Sequence, residues 1–278
     1  SFPVLMLLLI SFLRCGGKEG NPVSSGKTDI TPPPGYVLVW NDDFSATGIN
    51  SAKWEHEVNA WGGGNNELQY YTDRRENSRV ENGQLIITAR KETFTGPEGT
   101  REYTSARLRT KNRGDWTYGR FEIRAKLPEG QGIWPAIWML PTNWEYGGWA
   151  ASGEIDIMEL LGQEPDKIYG TIHYGGEYPD NRHKGESYTY PESFHEGFHV
   201  FALEWDTTEI RWYVDDIHYA TRTQWYSENG TYPAPFDKDF HLLLNVAVGG
   251  NWPGNPDETT TFPQEMRIDW VRVFQKEE

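Results

Sequence analysis

Short segments in which apolar and polar side chains alternate with period two are the strongest constraint on the fold of this chain. Two clear examples are RFEIRAKL at residues 120–127 and EIRWYVD at residues 209–215. Successive side chains of a β-strand point to opposite faces, so this alternation predicts half-buried strands. No segment shows a sustained helical period. Further strands are predicted at 36–40, 84–91, 106–111, 134–140, 154–161, 168–174, 199–205, 241–248 and 266–274.

The number of these strands and the turn residues between them favour an all-β domain. Gly, Asn and Pro separate the strands, and we find no internal repeat and no second linker. This pattern predicts a β-sandwich jelly roll of two antiparallel sheets, in which one sheet curves to form a concave substrate cleft. The chain has a single cysteine, which excludes an internal disulfide, so the core must be stabilised by packing.

The charge balance excludes several classes of partner. The 278 residues include 26 Lys and Arg against 41 Asp and Glu, a formal net charge of −15. Such an acidic surface repels nucleic-acid phosphates and anionic lipid headgroups. Hydrophobic residues at 37% and charged residues at 24% are ordinary for a globular protein and exclude both a disordered chain and a multi-span membrane protein.

The first 35 residues are predicted to direct export. The apolar run at residues 2–13 is too short for a membrane span but suits the core of a signal peptide, so residues 1–15 are interpreted as a signal. Because the sequence starts at Ser1 without Met or a basic region, the front of this signal is expected to be missing. Residues 16–35 are rich in Gly, Pro and Ser and predict a flexible linker, which leaves 36–278 as the catalytic domain.

Cys15 lies at a plausible cleavage point and resembles the lipid-modified cysteine of bacterial lipoproteins. Arg14 departs from the small residue expected before that cysteine, so a cleaved secretory signal with an incidental cysteine is the alternative. In both cases the protein leaves the cytoplasm, either secreted or as a bacterial outer-membrane lipoprotein.

The segment SGEIDIMELL at residues 152–161 carries the candidate chemistry. Glu154 and Asp156 share one face of the predicted strand, whereas Glu159 would point to the other face. Since a lone buried carboxylate is costly, we expect one extra residue, a β-bulge near Ile157–Met158, that returns Glu159 to the same face. A solvated acidic face of an ordinary strand is the alternative interpretation.

With the bulge, Glu154 and Glu159 would be about 13 Å apart at Cα, at about 3.3 Å per residue. If both side chains lean inward, their carboxyl groups approach to about 5 Å, the separation used by retaining glycosidases. Crowding of the three acids should raise at least one carboxyl pKa, which would keep a proton donor available, and Asp156 could hydrogen-bond the nucleophile.

Three further motifs accompany this strand: GIWPAIWMLP at 132–141, TIHY at 171–174 and NVAVGGNWPG at 245–254. Together they closely resemble glycoside hydrolase family 16 over nearly all of residues 36–274. The extra residue between Asp156 and Glu159 resembles the branch that contains laminarinases, agarases and carrageenases. Within that branch, VNAWGGGNNELQYYT at 58–72 resembles the laminarinases rather than the galactan hydrolases. The resemblance implies a concanavalin A-like jelly roll that retains anomeric configuration and acts on β-1,3-glucan without a cofactor, with Glu154 as nucleophile, Asp156 as its support and Glu159 as acid/base.

The same resemblance implies a set of residues that line the sugar subsites: Asn65, Arg90, Trp134, Trp138, His173, Asn245 and Trp252. Trp134 and Trp138 are separated by an even number of residues, so on a strand they share a face and could stack on successive sugar rings. Each assignment has an alternative. The two tryptophans could pack in the core, His173 could have a structural role, and Arg90 could balance the charge of nearby acids. Trp116, Trp144 and Trp149 could rim the cleft or cap the core.

Members of this family often carry a structural calcium away from the cleft. Asp43, Gly83 and Asp269 correspond to its ligands, and oxygen donors suit a hard cation. Asp43 occupies a position where relatives commonly have Glu. The alternative to a calcium site is that these are ordinary surface and turn acids. The protein is expected to be a monomer whose partners are β-glucan polysaccharide and oligosaccharides, with a lipid anchor at Cys15 as a further possibility.

Rival functions remain open at this stage. The catalytic strand does not determine which glycosidic linkage lies next to the cleaved bond. A mixed-linkage β-1,3-1,4-glucanase or a galactan hydrolase of the same family is therefore an alternative. A noncatalytic β-glucan-binding module on the same fold is the alternative from another class. Transglycosylation is a third, because a covalent glycosyl-enzyme can pass its sugar to another sugar.

Overall fold

The computed structural model of the chain describes Lys27 and residues 30–277. The predicted signal, Cys15 and most of the predicted linker lie outside the described residues. Pro32–Glu278 form one compact unit. Within the described residues, no helix is long and apolar enough to cross a membrane.

Strands make up almost all of the regular structure in the described residues, with one 3-10 turn at Gly62–Gly64. In chain order they are β1 (Tyr36–Asp42), β2 (Glu55–His56), β3 (Gln69–Tyr71), β4 (Ser78–Glu81), β5 (Gln84–Gly96), β6 (Gly99–Ser105), β7 (Arg107–Arg109), β8 (Asp115–Trp116), β9 (Gly119–Lys126), β10 (Ile133–Pro141), β11 (Glu154–Leu160), β12 (Lys167–Gly175), β13 (Asn181–Thr189), β14 (His199–Trp205), β15 (Ile210–Val214), β16 (Ile217–Arg222), β17 (Phe240–Val248) and β18 (Gln264–Lys276).

These strands form two sheets. The ten-stranded sheet has the order β16-β15-β14-β9-β18-β5-β6-β3, with β1 paired to β18 and β4 to β5. The eight-stranded sheet has the order β13-β12-β11-β10-β17-β7-β2, with β8 paired to β17. All pairs are antiparallel except β3 with β6. The order in both sheets departs from chain order, as expected for a jelly roll.

The core lies between the two sheets. Ile123 and Phe201 of the ten-stranded sheet, and Ile137 and Leu244 of the eight-stranded sheet, belong to one hydrophobic cluster with no exposed surface. Each sheet therefore has one apolar face turned to the other sheet, which is what the period-two patterns predict. The expectation of an all-β sandwich of two largely antiparallel sheets is confirmed.

Every predicted strand coincides with an observed one, but the alternation missed several others. β13 is an edge strand in which most side chains are exposed. An edge strand that buries little of either face has no reason to alternate, so its sequence carries no period-two signal. The very short strands β2, β3 and β8 are also too brief to show a period.

Candidate active site

A cleft of about 1360 Å³ crosses the outer face of the eight-stranded sheet. On β10, Trp134, Ala136 and Trp138 line the cleft, whereas Ile133 and Ile137 at the alternate positions belong to the core. All seven strands of the main path of this sheet contribute lining residues, from β2 at one edge to β13 at the other. The sheet thus forms the floor of an extended groove.

The three acids of β11 all line this groove. Between Asp156 and Glu159 the register with β12 shifts, since Asp156 pairs with Thr171 and Glu159 with Tyr169. The pairing with β10 shifts at the same place, which leaves Ile157 as the extra residue. The predicted β-bulge is confirmed.

The bulge places two consecutive side chains on one face. Ile157 and Met158 both belong to the core cluster, so the alternation is reset and Glu159 faces the cleft with Glu154 and Asp156. Without the extra residue, the side chain of Glu159 would be directed into the apolar core.

Glu154 is held by groups from two other segments. The indole Nε1 of Trp149 donates a hydrogen bond to Glu154 Oε2 at 2.7 Å, and His173 Nε2 lies 3.6 Å from Glu154 Oε1. The Glu154 side chain is half-buried, so it remains accessible from the cleft. Both oxygens of this carboxylate therefore face a polar N–H group or ring nitrogen.

Asp156 is almost fully buried, with 2% of its surface exposed. Burial is the largest cause that raises its pKa well above the ordinary value, followed by the charge of Glu154 and a hydrogen bond with Glu154. His173 Nε2 lies 3.2 Å from Asp156 Oδ2. Asp156 therefore favours its protonated form, which can donate a hydrogen bond to the Glu154 side chain.

Glu159 has a different environment. Trp134 Nε1 donates to Glu159 Oε1 at 3.1 Å. The pKa of Glu159 is raised well above its usual range, first by burial and then by the charge of Asp156, while His173 and the Trp134 hydrogen bond act in the opposite direction. Crowding of like charges was the expected cause, but loss of hydration is the larger one. The site thus favours a proton on Glu159, as a general acid requires.

By spacing alone, the same cluster could bind a cation. Ligand atoms of Glu154, Asp156 and His173 lie within 4.8 Å of one another. The raised pKa of Asp156 means that this cluster favours a proton on that acid, and Glu154 already accepts a hydrogen bond from the Trp149 indole. Both features are explained by hydrogen bonding within the cluster without a cation.

Aromatic rings form the walls of the cleft. Of the 13 tryptophans, six line it: Trp61, Trp134, Trp138, Trp144, Trp149 and Trp252. Trp252 is 42% exposed and packs edge-on against Trp134, with ring centroids 5.5 Å apart. Trp116, by contrast, is buried against Trp40. Flat apolar rings with polar edges suit the faces of sugar rings.

Trp138 is fixed by neighbours from three other strands. Its Nε1 donates to Asn245 Oδ1 at 2.7 Å, and Asn245 Nδ2 donates to the hydroxyl of Tyr71 at 3.1 Å. The guanidinium of Arg107 lies 4.6 Å from the centroid of the Trp138 ring and is paired with Glu57 at 2.7 Å. These contacts fix the orientation of the Trp138 ring and therefore of the face that it exposes to the cleft.

The structure brings most of the predicted site residues together. Those that line the cleft are Glu154, Asp156, Glu159, Asn65, Trp134, Trp138, His173, Asn245 and Trp252. Arg90 does not belong to this lining. It lies on β5 of the other sheet, with its Nε 3.6 Å from Glu92 Oε1, which agrees with the charge-balance alternative rather than with sugar contact.

Sequence reasoning missed three groups that shape the site. Trp149 was only a candidate for the cleft rim, although it binds Glu154, and Tyr71 and Arg107 were not considered. Arg107 and Arg109 alternate on β7 and both line the cleft. An arginine at every second position of a strand, in a chain with net charge −15, was the available signal.

Comparison with known proteins agrees with this geometry. The profile of "Glycosyl hydrolases family 16" matches residues 65–272. The chain is 47% identical to the "Beta-glucanase" of Rhodothermus marinus, over 87% of this chain and 86% of that protein. It is 40% identical to "Glucan endo-1,3-beta-glucosidase A1" of Niallia circulans, over 87% of this chain but only 38% of that longer protein.

Among solved structures, the laminarinase catalytic domain of Thermotoga maritima is similar throughout. It superposes with a TM-score of 0.79 at 44% identity and covers 87% of this chain and 99% of its own. The family profile, which matches residues 65–272, includes all of β11 with its bulge. The chain therefore belongs to family 16 of the glycosyl hydrolases.

Proposed function

We propose that this glycoside hydrolase is an endo-β-1,3-glucanase that cleaves laminarin-like glucans with retention of configuration. The observation that carries the proposal is the pair Glu154 and Glu159, which face one cleft from opposite sides of the bulge in different electrostatic environments. Double displacement requires a nucleophile and a separate proton donor, and the raised pKa of Glu159 suits the donor.

In the first step, Glu154 attacks the anomeric carbon while Glu159 gives its proton to the glycosidic oxygen. The bond from the anomeric carbon to that oxygen breaks, and a glycosyl ester of Glu154 forms. The Trp149 indole and the protonated Asp156 hold the Glu154 carboxylate during the attack. The leaving sugar departs with the proton from Glu159.

In the second step, the deprotonated Glu159 takes a proton from a water molecule, whose oxygen attacks the anomeric carbon. The ester bond to Glu154 breaks, and the enzyme returns to its initial protonation state. Two inversions at the same carbon give retention. No cofactor takes part in this chemistry.

The shape of the cleft supports action within a chain. The lining extends across seven neighbouring strands. With about 4.8 Å between adjacent strands, the groove is about 29 Å long. A groove of this length accommodates several sugar units on both sides of the carboxylates. The names of the relatives support β-1,3-glucan as the substrate, and a mixed-linkage glucan or a galactan remains an outcome of the test.

The substrate test compares hydrolysis of laminarin, lichenan and agarose, with product analysis on defined laminari-oligosaccharides. We expect internal cleavage of laminarin and the β-anomer as the first product by NMR. Preference for lichenan would indicate a mixed-linkage enzyme, and preference for agarose would contradict the glucan assignment. An intact protein that is inert on every β-glucan would favour a binding module.

Glu154→Gln should abolish hydrolysis, because an amide cannot form the glycosyl ester, while oligosaccharide binding persists. Removing a catalytic nucleophile should lower kcat by at least about 10³-fold. Glu192→Gln is the matched control, since Glu192 is an exposed glutamate outside the cleft lining. Wild-type turnover by Glu154→Gln would refute the role of Glu154.

Trp134→Phe should move the basic limb of the pH profile of kcat/KM to higher pH. The Trp134 hydrogen bond lowers the pKa of Glu159, so its loss favours the protonated acid and keeps the proton to higher pH. Trp138→Phe is the control, because the Trp138 indole donates to Asn245 instead of a carboxylate. An unmoved limb in Trp134→Phe would contradict the assignment of Glu159 as the acid.

We also propose a structural calcium held by the carboxylates of Asp43 and Asp269 and the carbonyl of Gly83. Its support is that Asp43 and Asp269 both interact electrostatically with the guanidinium of Arg272, and that neither acid belongs to the cleft lining. Asp269 is nearly buried and also accepts a hydrogen bond from Arg124 at 2.5 Å. The all-oxygen donor set fits a hard cation.

The calcium proposal predicts that excess calcium raises Tm relative to a chelator, because a ligand of the folded state stabilises it. The rise should disappear in Asp43→Asn and persist in Asp180→Asn, which changes an exposed aspartate elsewhere. A Tm independent of calcium in the wild type would contradict the proposal.

We further propose that the protein is exported as a monomer, either secreted or anchored by lipid at Cys15. The apolar segment at 2–13 followed by Cys15 supports this. Mass spectrometry of the mature N-terminus from the producing cell tests it: a lipid-modified Cys15 supports the anchor, and cleavage without lipid supports secretion. An uncleaved N-terminus in the cytoplasm would contradict export.

A further inference from the structure

The bulge in β11 decides where Glu159 points, so whatever holds the bulge in register also controls the proton donor. Strands can shift by one residue, and such a shift sends every following side chain to the other face. At a bulge the ladder is locally interrupted, and nearby backbone groups need partners other than the neighbouring strand. The contacts of Asp156 and Ile157, where the extra residue is inserted, therefore bear on the position of Glu159.

A tryptophan of the opposite sheet contacts the backbone at this point. The indole Nε1 of Trp212 donates a hydrogen bond to the carbonyl oxygen of Asp156 at 2.8 Å. Trp212 lies on β15 of the ten-stranded sheet and is 1% exposed. The bond therefore crosses the sandwich core and joins the second sheet to the residue that directly precedes the extra one.

Gly170 makes room for this contact. It lies on β12 between Tyr169, the partner of Glu159, and Thr171, the partner of Asp156, so it faces the two bulged residues. A Cβ at Gly170 would lie 2.4 Å from Trp212 Cδ1, 2.7 Å from Trp212 Nε1 and 2.8 Å from the Tyr219 hydroxyl. The glycine is required here by space, and any side chain would displace the indole.

We propose that Trp212, packed over Gly170, is a positioning residue that holds the β11 bulge in register and thereby keeps Glu159 in the cleft. Trp212 is not one of the residues that line the cleft, and it acts through the backbone carbonyl of Asp156. The inference rests on the proposed function, because it assigns Trp212 an effect on the acid step of that reaction.

Trp205 provides a matched control. It is a second buried tryptophan of the same sheet, 2% exposed, and its Nε1 donates to the backbone carbonyl of Phe236 at 3.1 Å. Trp205→Phe and Trp212→Phe thus remove the same volume and the same kind of hydrogen bond. They differ in whether the bonded carbonyl belongs to the bulge.

The experiment compares kcat/KM for laminarihexaose with kcat/KM for 2,4-dinitrophenyl β-laminaribioside in the wild type, both phenylalanine variants and Gly170→Ala. A dinitrophenolate leaves without a proton, so its release does not need Glu159, whereas a sugar leaving group does. We expect Trp212→Phe and Gly170→Ala to raise the aryl-to-oligosaccharide ratio about 10-fold or more. Trp205→Phe should leave the ratio unchanged while lowering Tm similarly.

An unchanged ratio in Trp212→Phe, or an equal change in Trp205→Phe, would show that Trp212 is only a core residue. If Trp212→Phe does not fold, benzothienylalanine at position 212 replaces the N–H by sulfur with nearly the same shape and gives the same comparison. A wild-type enzyme that cleaves neither substrate would contradict the proposed function instead of this inference. The two failures are therefore distinct.

Discussion

The structure of the site depends on one inserted residue in a central strand. A regular β11 would place Glu154 and Asp156 on the cleft and Glu159 in the core, because side chains alternate. The extra residue Ile157 breaks that alternation. The adjacent apolar side chains of Ile157 and Met158 then both point into the core, where Glu159 would otherwise lie. The bulge therefore places apolar side chains in the core and all three acids in the cleft. The hydrogen bond from Trp212 joins the bulge to the opposite sheet.

The acids that the bulge gathers destabilise the folded state. Asp156 and Glu159 both have a pKa raised well above the ordinary value, mainly by burial. The folded protein therefore binds protons at these groups that the unfolded chain releases, and its stability falls as pH rises from the usual carboxyl range through the raised pKa. On the ten-stranded sheet, by contrast, Glu122 and Glu204 are both paired with Arg120.

The two sheets have divided roles. The ten-stranded sheet carries charged pairs on its outer face and large buried rings such as Trp205 and Trp212 on its inner face. The eight-stranded sheet places polar and aromatic side chains such as Glu159 and Trp134 in the cleft, and apolar side chains such as Ile137 and Leu244 against the core. Tryptophan serves both sheets, since its ring packs in a core and its N–H can bind a carbonyl or a carboxylate.

The sequence by itself determined the all-β class, most of the strands and the three acids, because alternation and the cost of a buried charge are local properties. It also predicted the bulge, since Glu159 had no acceptable place in a regular strand. Only the tertiary structure decided which groups meet those acids. Trp149 comes from a loop, Trp212 from the other sheet, and Arg90 lies away from the cleft. These contacts join residues distant in the chain, and period and spacing carry no information about which distant strands become neighbours.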